Sequence, residues 1–114
     1  MSAKLIKRFQ SQVESCQDSL DKFAKEFAKD PAYALGWSIG TFQKAARLRV
    51  LKQIVGALED GTATLDNIRS TMMDRVLSMS RNPAQSTSPT SNLIEQYELA
   101  ACAEILDDMK YFTE

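Results

Sequence analysis

Histidine is absent from the 114 residues. Its absence removes the side chain that most often acts as a general base near neutral pH and most often ligates transition metals. Long apolar runs are missing as well. Charges such as Lys44, Arg47 and Lys52 break every hydrophobic stretch well short of the roughly 20 residues that a membrane-spanning helix needs, so no membrane partner is expected. The opening Met-Ser-Ala-Lys-Leu-Ile-Lys-Arg has neither the apolar stretch nor the cleavage site of a signal peptide. A cytoplasmic location is the expectation, or the host cytoplasm for a viral protein.

Cysteine is scarce, with two residues far apart, Cys16 and Cys102. Both fall among Leu, Ile and Phe at helical spacing, which predicts buried free thiols behaving as small hydrophobes. A disulfide joining the first helix to the last is the alternative, and nothing secretory in the sequence favours it. No Gly-rich phosphate loop, metal-spaced cysteine cluster or nucleophile–base pair is present. The sequence predicts no catalysis, no cofactor and no metal.

What remains is an ordinary globular composition, 44% hydrophobic and 25% charged, long enough for one domain with a core of its own. The net charge of −1 conceals a gradient. Residues 1–58 carry ten Lys/Arg and five Asp/Glu, whereas residues 59–114 carry four and ten. Such asymmetry serves internal helix pairing, head-to-tail association or a basic contact surface; internal pairing is the simplest.

Leu5, Phe9, Val13, Cys16, Leu20, Phe23 and Phe27 recur in steps of three and four, predicting a helix from about Ala3 to Lys29 with one apolar stripe. Asp30-Pro31 then caps and opens a second helical region, which Glu59-Asp60-Gly61 ends. Gly36 and Gly40 predict either a kink or a short helix followed by a longer one. Thr64 caps a third helix carrying Leu65, Ile68, Met72, Val76 and Met79. Residues 81–91, rich in Ser, Thr and Pro, read as an exposed flexible loop. Asn92 with Glu95 forms a capping box for a last helix faced by Ile94, Ala101, Ile105, Met109 and Phe112. The expectation is an all-α fold, a single helical domain over 1–114 built as a bundle of about four helices.

The second region carries two apolar sides. Leu35, Ile39, Phe42, Ala46 and Val50 line one; Tyr33, Trp37, Leu48, Leu51 and Val55 line roughly the opposite one. A helix apolar on two sides is either wrapped by its own chain or shared with another. The sequence reading assigns partner binding to Tyr33, Trp37, Leu48, Leu51 and Val55, with the aromatics as anchors. Gly36 and Gly40, four apart, suit either a local turn or a close helix approach. Lys44, Arg47, Arg49 and Lys52 form the densest basic cluster and would contact phosphates in a nucleic-acid binder, although they scatter around the helix. A helix-turn-helix over Gln53–Met72 fails, because Asp60, Thr62 and Asn67 stand where that motif packs apolar residues.

The last helix is acidic. Glu95-x-x-Glu98 and Glu104-x-x-Asp107 resemble the two acidic motifs of the MazG-like four-helix nucleotide pyrophosphohydrolases, which would imply magnesium. Those enzymes carry their motifs on separate helices, whereas both fall on one helix here. Glu98 interrupts an apolar face and so calls for a partner, and Arg47, which interrupts the facing one, is the expected partner. Together these readings predict a non-catalytic helical protein–protein interaction module, self-associating as a homo-oligomer. Its setting would be an assembly adaptor, a structural component of a particle or a small inhibitor. Nucleic-acid association through the basic first half is the alternative.

Overall fold

The computed structural model describes residues 3–81 and 89–111, and the side chains of 79–81 and 89–91 lie outside that description. Four long helices and one short one follow in order: α1 (Ala3–Lys29), α2 (Pro31–Ala34), a 3-10 turn (Leu35–Trp37), α3 (Ser38–Glu59), α4 (Leu65–Arg81) and α5 (Pro89–Met109). The protein is all-α, with no strand among the described residues. Helix α3 packs against both α1 and α5, and α4 packs against α5.

The helix boundaries arise from local chemistry. Asp30 accepts a hydrogen bond from the Tyr33 amide at 3.2 Å, satisfying one of the donors freed at the start of α2. At the end of α3, Gly61 takes φ of 70°, a left-handed conformation that costs glycine nothing. The Gly61 amide then donates to Leu58 and the Thr62 amide to Ala57, closing a Schellman turn. Thr64 and Asn67 cap α4 reciprocally: the Asn67 amide donates to Thr64 Oγ1 at 3.2 Å and the Thr64 amide to Asn67 Oδ1 at 3.1 Å. At the far end of α5, Arg69 donates to the Met109 carbonyl at 2.7 Å, placing a cation where the helix dipole is negative.

Two boundary expectations are corrected. Helix α5 opens at Pro89 rather than after Asn92, because proline's fixed φ suits a first helical turn and its missing amide needs no acceptor. Arg81 belongs to α4. Of the loop expected over 81–91, only residues 82–88 remain, and they lie outside the described residues, as do Phe112 and the side chain of Met79.

The core joins Leu5, Phe9 and Cys16 of α1 to Leu48, Val50, Leu51, Ile54 and Leu58 of α3, Leu65, Ile68 and Met72 of α4, and Ala101, Cys102, Ile105 and Met109 of α5. Both cysteines are buried free thiols. Core packing fades toward the α1–α2 corner: Phe27 is exposed although it continues the α1 stripe. The facing part of α3 offers Gly40 and Thr41 there rather than large side chains.

Candidate functional site: an open apolar surface on α3 and α5

The two apolar sides of the second region are both present, and each packs against the core from Ala46 onward while its N-terminal part stays open. Leu48 is buried and Leu51 is 0% exposed, while Val55 is half-buried against the same core. These three are corrected from partner-binding to core residues, because α1 and α5 close over that flank of α3. Tyr33 stays exposed and Trp37 half-exposed at the α1–α2 corner. Their rings meet edge to face at 5.6 Å, and the Lys22 ammonium stands 5.9 Å from the Trp37 ring.

The other side is open only in its N-terminal part, since its Ala46 and Val50 are buried. Leu35 is 59% exposed, Ile39 63% and Phe42 53%. Steps of four and three place them as a ridge along one side of the chain from the 3-10 turn into α3. The ridge runs into a groove of about 340 Å³ between α3 and α5, floored by Ala45 and Ala46 and walled by Phe42, Leu93, Ile94 and Tyr97. The Phe42 and Tyr97 rings lie 6.4 Å apart. Alanine is what makes the depression: with one methyl each, Ala45 and Ala46 leave the α3 backbone low between taller neighbours.

Charge touches the groove only at Arg49 and Glu98, and those two neutralise one another across 3.2 Å. Glu98 also pairs with Arg75 of α4 at 3.3 Å. The expected Glu98–Arg47 pair is thereby corrected. Arg47 reaches Asp108 at 2.8 Å and Glu104 at 3.0 Å instead. Arg49 and Arg75 satisfy the partly buried carboxylate from either side, and Arg47 meets the acids farther along α5.

The basic cluster is likewise split. Arg47 and Arg49 face α5 carboxylates. Lys44 borders a cleft between α1 and α3 with Lys22, Phe23, Gly36, Trp37 and Gly40, and Lys52 borders another with Gln10, Glu14 and Glu59. No single basic row results. A Cβ added at Gly36 or Gly40 would meet nothing within 4 Å, so among the described residues no helix makes the close approach that the pair suggested. Among the described residues, no group of three or more His, Cys, Asp or Glu side chains is placed to hold a metal ion. No helix described is long and apolar enough to cross a membrane.

Sequence reasoning singled out Phe42, Ala46 and Ile94 as face residues but passed over Ala45, Leu93 and Tyr97. The signal was there. Leu93, Ile94 and Tyr97 widen the apolar arc of α5 beyond what Ala101, Ile105 and Met109 need for the core. Compared with known protein families, curated proteins and solved structures, the chain matches none.

Proposed function

We propose that this protein is a non-catalytic helical interaction module that associates with itself through the open apolar surface of α3 and α5. One observation carries the reading: Leu35, Ile39, Phe42, Leu93 and Ile94, five large hydrophobic side chains on adjoining elements, are each more than two-fifths exposed. Scattered exposed hydrophobes are ordinary, whereas a contiguous patch beside a preformed groove is characteristic of contact surfaces.

The basic residues lend less to nucleic-acid association. Arg47 and Arg49, the central pair of that cluster, are engaged by Glu98, Glu104 and Asp108, and phosphate contacts would have to displace those carboxylates. Light scattering over a concentration series tests the proposal. The expected result is a mass above the 12.7 kDa of one chain, returning to one chain in Phe42→Glu with helicity preserved. A single-chain mass at several hundred micromolar would overturn it. Titration with DNA or RNA at low salt tests the alternative.

A further inference from the structure

We infer that what fills the α3–α5 groove is the same face of a second copy, turned about a two-fold axis between Phe42 and Ala45, giving a closed dimer. This rests on the self-association proposed above and specifies its geometry.

An isologous contact requires one patch to carry both a projection and the recess that receives it. This patch does. Phe42 is the last side chain of the exposed Leu35–Ile39–Phe42 ridge, and the recess over Ala45 and Ala46 begins three residues later on the same helix. One helical turn, about 5 Å, separates projection from recess. A two-fold axis midway between them sets each Phe42 into the other copy's groove, against Leu93, Ile94 and Tyr97.

Charge fits the same symmetry. Near a two-fold axis every charged group confronts its own duplicate, and like charges brought together repel. The groove's charged side chains are Arg49 and Glu98, and they already pair with each other. The surface meeting its copy therefore presents hydrocarbon and one ion cluster, in which Arg49 shares Glu98 with Arg75.

The occupant cannot come from nearby chain. Residues 82–88 read Asn-Pro-Ala-Gln-Ser-Thr-Ser and contain no large apolar side chain. Area agrees with a second copy. The five exposed side chains present about 500 Å² per copy, so mutual coverage removes about 1,000 Å², the size of a reversible rather than a permanent interface.

The test is a cysteine placed near the axis. Ala45 is exposed, so Ala45→Cys adds a reactive thiol with little change in volume, and the native Cys16 and Cys102 are buried. Treatment with a short bis-maleimide is expected to give a covalent dimer and nothing larger, while Thr62→Cys, in the exposed turn before α4, stays uncoupled. Phe42→Ala should raise the dissociation constant about thirtyfold, as loss of a central aromatic does. If light scattering reports association but Ala45→Cys does not couple, or mass climbs past two chains with concentration, the two-fold geometry is wrong and self-association stands. If the unmodified protein is a single chain at all concentrations, both fail together.

Discussion

Glu98 of α5 shares one carboxylate oxygen with Arg75 of α4 at 3.3 Å and turns the other toward Arg49 of α3 at 3.2 Å. The carboxylate side chain is only 14% exposed, so it has little water to fall back on. Glu98→Gln keeps the shape and removes the charge that offsets the repulsion between two arginines. A loss of about 1–3 kcal/mol is expected, the range for hydrogen bonds to charged groups, measured by urea unfolding. Arg49, 66% exposed at its side chain, contributes as a surface partner, and Arg49→Ala should cost less than about 1 kcal/mol.

Leu51 and Phe42 lie on opposite sides of α3 and should fail differently. Leu51→Ala opens a cavity in a fully buried site and is expected to cost about 2–5 kcal/mol. Phe42→Ala should leave the unfolding midpoint of the dissociated chain nearly unchanged. Thermal unfolding at low and high concentration separates the two, and a large loss for Phe42→Ala at high dilution would place that ring in the core.

Glycine should matter in opposite senses at two nearby positions. Gly56 lies inside α3 with nothing within 4 Å of an added Cβ. Gly56→Ala should therefore stabilise by about 1 kcal/mol through helix propensity. Gly61 takes positive φ, and Gly61→Ala should destabilise by about 1 kcal/mol, because a Cβ crowds the carbonyl there. Circular dichroism melts of both variants check the sign.

Burial pushes the Cys102 thiol above its ordinary pKa, more than Arg75 offsets. The sign follows directly. The folded chain holds this proton more tightly than the unfolded chain, so the contribution is complete below the thiol's unfolded pKa, about 8.5, and falls as pH rises beyond it. Urea midpoints measured from pH 7 to 10 should decline in the upper part of that range. Cys102→Ala should flatten the decline.

Features set by neighbours in sequence were readable in advance. The α1 span, the Asp30 and Thr64 caps and the Gly61 stop each depend on residues within one turn, and each occurs where the residue types require. The apolar doubling of the second helical region was equally plain from its spacing. Which stretch of it the other helices would cover was not. Periodicity fixes the angle between two stripes on one helix and carries no information about where other helices come to rest. Arg47 and Glu98 make the same point. Each announced that it needed a partner, yet partner choice turned on interhelical register. The groove escaped notice because its floor is Ala45 and Ala46, and small side chains reveal a depression only once taller neighbours stand around them.

The chain order of the packed pairs has a kinetic consequence. Helix α1 meets α3 across the eight residues 30–37, which include α2 and the 3-10 turn, and α4 meets α5 across residues 82–88, so each pair closes only a short loop. Contacts between α3 and α5 span the greatest separation, with Arg47 and Asp108 sixty-one residues apart. Short-range pairing of this kind favours folding in microseconds to milliseconds. The salt-bridged seam between the hairpins is then the late event, and substitutions at Arg47, which pairs only across it, act chiefly on the rate of unfolding.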